Sequence, residues 1–191
     1  MEGFISEKTL DYLKLGVKDS IFQVEINSNV DEKLNGDAYL KFMVDEVKPY
    51  IDATYSTKRD KDNTFVSGSS MGGLMAMYAI CEYPKVFGGA ACLSTHWPGT
   101  MPQKMNPIPN AIFAYLEKKL PSPIDHKLYF DFGTKTLDKN YLQYEDTVNE
   151  IFADAGYDYS NFRNLEFEGA DHSELSWQKR FDIPLTFLLG K

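Results

Sequence analysis

Between residues 64 and 81 the chain passes from an apolar, β-type stretch, Thr64-Phe65-Val66-Ser67, directly into Gly68-Ser69-Ser70-Met71-Gly72. A helical pattern through Leu74, Met77, Tyr78 and Cys81 follows at once. A strand that becomes a helix with no intervening loop needs a sharp turn with strained backbone angles. Glycine at both flanks is expected to remove Cβ atoms that would clash there. Such a turn lifts the central hydroxyl, Ser70, clear of the sheet, and the helix aims its first N–H groups at any charge developing beside it. Ser67 and Ser69 do not occupy the position between the glycines. A phosphate-binding loop is the weaker reading, because neither Gly-Lys-Ser/Thr nor a glycine at position 70 is present.

The surrounding pattern predicts the kind of sheet that carries this turn. Asp37 is a candidate N-cap for a helix to about Asp52, with Leu40, Val44, Val47 and Ile51 on one face. Tyr83-Pro84 ends the helix after the turn. Val86 to Leu93 reads as a strand whose glycines and alanines suit close packing by helices. A helix at about 110–120, a strand at 128–132, a helix at 141–155 ending at Gly156, and a strand at 165–167 follow. The last helix is predicted from about Ser173, with Pro184 kinking it. Strand alternating with helix means an α/β fold with a mostly parallel sheet and right-handed crossovers, in which reacting groups lie past the C-terminal ends of strands. With no repeat or Gly/Ser linker, residues 1–191 read as one domain. Residues 1–36 form an irregular or helical lead-in and 37–190 the core.

A net charge of −8 argues against nucleic acid or an anionic membrane as partner. No apolar run is long enough to span a bilayer, and Met1 to Ser6 lacks the basic-then-apolar pattern of a secretory leader. Cys81 and Cys92 both sit in apolar stretches, as buried thiols would.

The chain has three histidines. His126 precedes a strand, at the sheet edge away from Ser70, and reads as an exposed or capping residue. His172 follows the last strand in Gly169-Ala170-Asp171-His172-Ser173 and fits the order serine, acid, histidine. It is therefore the candidate general base for Ser70. His96 breaks that order. With Trp97 it reads either as a wall of a substrate pocket or as part of a packed loop. For the acid, Asp138 is favoured over Asp131 because it lies in the loop beyond the third strand, whereas Asp131 lies inside the strand. An N-cap role is the plainer alternative for Asp138. Glu145 and Asp146 read as solvated charges on the next helix.

Gly68-Ser69-Ser70-Met71-Gly72-Gly73-Leu74, Cys81-Glu82-Tyr83-Pro84 with Val86-Phe87-Gly88-Gly89, and His172-Ser173-Glu174 together resemble the Putative esterase family of α/β-hydrolases. That family includes esterase D (S-formylglutathione hydrolase), feruloyl esterases, enterochelin esterases and mycolyltransferases. The resemblance covers roughly residues 37–190. It implies an α/β-hydrolase-type sheet, Ser70 as nucleophile, Asp138 as acid, His172 as base, the Met71 backbone N–H as one oxyanion donor, and no metal or organic cofactor. It also implies about four strands ahead of the elbow helix. Here 36 residues precede Asp37, and within them Ile21 to Ile26 reads equally as one strand or as part of a helix. The fold is therefore expected to be N-terminally truncated, without the loop that supplies a second oxyanion donor, and with a sheet edge open to self-association.

The expected function is hydrolysis of a small-molecule carboxylic ester. The alternatives are a catalytically impaired fragment or interaction module, and acyl transfer to an alcohol. Trp97, Met101, Met105 and Phe113 give the loop after the second strand an aromatic, apolar character suited to an aryl acyl group, or simply to packing.

Overall fold

The structure, a computed structural model, describes residues 36–100 and 106–190. The segment Ile21 to Ile26 and the loop methionines Met101 and Met105 lie outside the described residues. The chain divides into two compact units. One comprises the chain up to Thr57 with Pro98–Lys118, and the other comprises Lys58–Trp97 with Lys119–Lys191.

In the first unit, helix α1 (Gly36–Phe42) continues through a π-turn segment, Met43–Val47, into α2 (Lys48–Thr54). Asp37 lies inside the first turn of α1, not ahead of it. The π segment has a local cause. Pro49 has no N–H to give the carbonyl of residue 45, and its ring crowds that carbonyl. The ladder widens instead, and Lys48 N–H reaches back to Met43 O. The extra residue rotates everything after it by about 100° around the axis. Leu40 is consequently buried while Ile51, predicted on the same face, is exposed.

The second unit holds the sheet. Strand β1 (Phe65–Ser69) leads into α3 (Met71–Glu82), which is followed by β2 (Gly89–Leu93). In the first unit, α4 (Ile108–Lys119) starts where Asn106 Oδ1 accepts the Ile108 N–H at 3.1 Å. The second unit resumes with β3 (Lys127–Gly133), α5 (Leu142–Asp154), β4 (Phe162–Phe167), α6 (Glu174–Gln178) and α7 (Asp182–Leu189). The described strands pair in the order β1-β2-β3-β4, all parallel, with Leu93 beside Asp131 and Asp131 beside Leu165. This is an α/β-hydrolase-type sheet flanked by helices.

Residues alternate between its two faces. Ala91, Leu93 and Tyr129 pack with Leu188, Ile183 and Phe187 of α7 and Trp177 of α6. On the other face Phe130 meets Phe152 of α5 edge-on at 5.3 Å, and Phe152 stacks on Phe162 at 4.3 Å. Gly89 allows the close approach of α7, since a Cβ there would lie 2.7 Å from Leu188 Cδ2. Cys81 and Cys92 are buried free thiols.

Two boundaries differ from expectation. Val86 and Phe87 are strand-type residues, yet both their N–H groups donate to Tyr83 O, at 2.9 and 3.1 Å, so the turn at Pro84 captures them and β2 begins only at Gly89. The C-terminal segment is two helices instead of one kinked helix. Ser173 caps α6, its Oγ accepting the Ser176 N–H at 3.3 Å, and Pro184 falls in the first turn of α7, where a missing N–H costs nothing.

Candidate active site

Ser70 sits between β1 and α3 with φ 58° and ψ −121°, a conformation that a side chain rarely tolerates. Four backbone hydrogen bonds hold it there: Ser70 N–H to Leu93 O at 2.9 Å, and the N–H groups of Gly73, His96 and Leu74 to Ser70 O at 3.0, 3.2 and 3.4 Å. The two flanking glycines are not equivalent. A Cβ on Gly68 would collide with the Gly72 carbonyl, whereas a Cβ on Gly72 would meet nothing within 4 Å. The expected clash at both positions is thus corrected to one. Gly73 is the second constrained glycine, 2.9 Å from Thr95 Oγ1 by the same measure. Accordingly, Gly68→Ala is expected to destabilise the protein by about 2 kcal/mol or more through overpacking. Gly72→Ala, inside a helix, should be neutral or gain up to about 1 kcal/mol. Urea unfolding of both variants checks this, and equal losses would contradict it.

His172 and Asp138 come from the loops after β4 and β3, and those loops are tied together. Thr134 and Lys135 N–H groups donate to Ala170 O at 3.0 and 2.9 Å, Gly169 N–H to Thr134 Oγ1 at 2.8 Å, and His172 N–H to Thr136 Oγ1 at 2.8 Å. A Cβ on Gly133 would strike the Ala170 carbonyl, which explains glycine at the end of β3.

This tie brings three of the sequence candidates into one line. His172 Nε2 lies 2.8 Å from Ser70 Oγ, and its Nδ1 is hydrogen-bonded to Asp138 Oδ1. The imidazole is held edge-on between Trp177, at 5.0 Å, and Tyr141, at 5.9 Å. Asp138 is fully buried. Burial alone pushes its carboxyl up. Hydrogen bonds from His172, from Ser94 Oγ at 2.6 Å and from Gly133 N–H at 2.6 Å more than reverse that and hold it below the usual carboxylate range. Asp138 opens a short 3₁₀ turn, but its carboxylate is spent on these partners.

The remaining candidates lie elsewhere. Asp131 is 2.8 Å from Arg180 Nη2 and forms a buried ion pair with it. Trp97, 1% exposed, stacks on Phe130 at 5.6 Å, so it is a packed core residue and not a pocket wall. His96 is buried beside the elbow, its Nδ1 2.7 Å from the Tyr141 hydroxyl. His126, read as exposed or capping, is buried and not exposed: its Nδ1 lies 2.9 Å from Ser122 O and its Nε2 2.8 Å from Pro84 O.

Glu145 is also corrected, from surface to interior. Burial pushes its carboxyl up to about 7, against hydrogen bonds from Asn164 Nδ2 at 2.7 Å and from the Trp97 indole. Its folded pKa thus lies above the unfolded value of 4.5, so this contribution to stability is full below about pH 4.5 and is lost as pH rises through about 7. Glu145→Gln is expected to flatten that fall and to exceed the parent protein by about 3 kcal/mol near pH 8.5. Urea titrations at pH 5 and 8.5 check it; parallel behaviour of the two proteins would refute it.

Ser94, Trp177, Tyr141 and Arg180 were not expected at the site. The available signals were a charged residue inside an apolar strand, Asp131, which needs a buried cation, and a Trp and an Arg within a few residues of His172.

Residues 14–187 match the profile of the family described as "Putative esterase". Among curated proteins, the uncharacterized protein YbbA of Bacillus subtilis (strain 168) is 32% identical over 60 residues, 31% of this chain and 24% of that one. Among solved structures, the enterobactin esterase FES of Shigella flexneri superposes with a TM-score of 0.65 at 19% identity, covering 84% of this chain and 41% of that one. A ferulic acid esterase gives 0.61 at 19%, covering 78% and 60%. The S-formylglutathione hydrolase FrmB of Staphylococcus aureus gives 0.58 at 18%, covering 81% and 66%. These likenesses establish the fold. The chain spans about a quarter of the curated relative and 41% and 60% of the first two solved structures.

Proposed function

This chain belongs to the Putative esterase family, and from that premise we propose that it is a serine ester hydrolase using Ser70, His172 and Asp138. The observation that carries the reading is the hydrogen-bonded line from Ser70 Oγ through His172 to the buried Asp138, mounted on a strained strand-to-helix turn.

Ser70 Oγ attacks the ester carbonyl carbon while His172 Nε2 takes the hydroxyl proton, and Asp138 stabilises the imidazolium through Nδ1–H. The Met71 N–H, first in α3 and without an intrahelical acceptor, is the proposed donor to the developing oxyanion. The imidazolium then returns its proton to the departing alkoxide, which leaves as the alcohol. Water, deprotonated by the same imidazole, attacks the acyl-enzyme carbonyl, and the imidazolium gives that proton to the departing Ser70 Oγ, releasing the acid and restoring both side chains. A ferulic acid esterase among the solved likenesses makes a feruloyl ester the first acyl group to try.

The test is labelling with a fluorophosphonate, together with hydrolysis of p-nitrophenyl acetate. Labelling of the folded protein at Ser70, absent in Ser70→Ala, is expected; an unlabelled Ser70 refutes the reading. Labelling at Ser70 without measurable turnover would mean that the relay is intact and that p-nitrophenyl acetate is not its ester.

A further inference from the structure

Behind Asp138 lies a second layer of buried polar side chains, centred on Ser94. This residue follows β2 with φ 41° and is fully buried. Its backbone N–H donates to Asp131 O at 2.8 Å and also faces Asp131 Oδ1 at 3.1 Å, which secures the left-handed turn.

A serine hydroxyl offers one proton and two lone pairs. At Ser94 all three are committed. Trp177 Nε1–H and Arg180 Nη2–H each approach Oγ at 2.9 Å, and neither group can accept a proton in return. The single hydroxyl proton therefore has one destination, Asp138 Oδ2 at 2.6 Å. Arg180 is itself held, because Nη2 also meets Asp131 Oδ1 at 2.8 Å and its guanidinium carbon lies 4.9 Å from the Phe167 ring centre. Asp131 accepts the Tyr129 hydroxyl at 3.0 Å on its other oxygen.

We propose that Ser94 is a positioning residue for the relay: Trp177 and Arg180 orient its hydroxyl so that it fixes the rotation of the Asp138 carboxylate and keeps Oδ1 facing His172. Its catalytic consequence rests on the hydrolase reading above, whereas the geometric claim does not. Gly133 N–H alone would leave the carboxylate one fixed donor besides His172. With the Ser94 proton the Oδ2 side is pinned from two directions, and only Oδ1 is left for the imidazole. The arrangement also makes α6 and the turn after it part of the relay's support, since Trp177 both donates to Ser94 and packs against the His172 ring.

Removing the hydroxyl leaves Oδ2 held by Gly133 N–H alone, so the carboxylate is free to rotate and the hydrogen bond between Oδ1 and His172 Nδ1 loosens. The groups facing His172 are Asp138, Tyr141, Trp177 and Ser70, with the Arg180–Asp131 pair one residue further back.

The test uses the full chain with Ser94→Ala and Ser94→Gly. Both delete the hydroxyl, but glycine carries no strain at positive φ, so it also guards against a variant that fails to fold. The readouts are the His172 Nδ1 proton signal by NMR, the fluorophosphonate labelling rate, and kcat and KM on p-nitrophenyl acetate. Both variants are expected to move and broaden the Nδ1 proton signal as the hydrogen bond to Asp138 loosens. They should also lower the labelling rate and kcat by about 10- to 100-fold with little change in KM. An unchanged Nδ1 signal in both variants would overturn the proposal. So would an effect in the alanine variant that is absent from the glycine variant, since that assigns it to the backbone at position 94. If the parent protein does not label at Ser70, the hydrolase reading fails, yet the Nδ1 signal still decides the role of Ser94.

Discussion

Asp138→Asn is expected to lower kcat/KM on p-nitrophenyl acetate by on the order of 10⁴-fold while leaving the protein folded. The size of the effect follows from how the carboxylate is surrounded. Its Oδ2 accepts Ser94 Oγ–H and Gly133 N–H, and its Oδ1 accepts His172 Nδ1–H. An asparagine in this pocket has one acceptor and one donor end. If its NH₂ faced Ser94 and Gly133, donor would meet donor at two positions in a fully buried site. It must therefore place its oxygen there and present NH₂ to His172. The imidazole then accepts at Nδ1 and carries its proton on Nε2, which lies 2.8 Å from Ser70 Oγ. In that tautomer it cannot take the serine proton. Asp138 is fully buried behind His172, so KM should change little and the loss should fall on kcat. Circular dichroism and fluorophosphonate labelling separate this outcome from unfolding: a folded variant that labels at the parent rate would remove Asp138 from the relay.

The contrast between this carboxylate and its neighbour shows what sequence can and cannot reveal here. Ser70, Asp138 and His172 are legible as candidates because each follows the C-terminal end of a strand, and each loop carries its own local signal. The parallel alternation is legible for the same reason, since periodicity and turn residues are local. The support around them is not local. Ser94 in the turn after β2, Asp131 in β3 and Arg180 in the turn after α6 are joined by hydrogen bonds across 37, 49 and 86 positions of sequence. Nothing in the residues beside Ser94 announces that its hydroxyl has three partners. Glu145 is a different kind of miss. With Val148 and Phe152 it falls on the inward face of α5 at helical spacing, so its burial is readable from the helical period even though its charge points to the surface. The shift of Ile51 to solvent has yet another origin, because a π-turn set by Pro49 changes the period itself.

Arg180→Met is expected to destabilise the protein by about 3–5 kcal/mol at pH 8, and the loss should shrink when Asp131→Asn is added. Arg180 is 4% exposed and Asp131 2%, and their ion pair spans 2.8 Å. Burial pushes the Asp131 carboxyl up, and the Arg180 guanidinium, Ser94 N–H and Tyr129 hydroxyl pull it back. Without Arg180 the carboxylate keeps two neutral donors and no counter-charge, so it either stays ionised at high cost or takes a proton. A carboxyl whose folded pKa is raised stabilises the native state below its unfolded pKa and progressively less as pH climbs through the folded one. The single variant should therefore lose most stability at pH 8 and less at pH 5. The double variant, with no charge left to strand, should show little such dependence. Urea unfolding of the parent, both single variants and the double variant at the two pH values closes the cycle, and additive losses with no pH dependence would contradict it. The parent pair is itself imperfect, because Arg180 Nε and Nη1 are buried with no hydrogen-bond partner among the described residues. A buried pair with unmet donors is a poor source of stability. Its cost is better understood through what Nη2 does at its other end, where it occupies a lone pair of Ser94 and leaves that hydroxyl one place to point, toward Asp138.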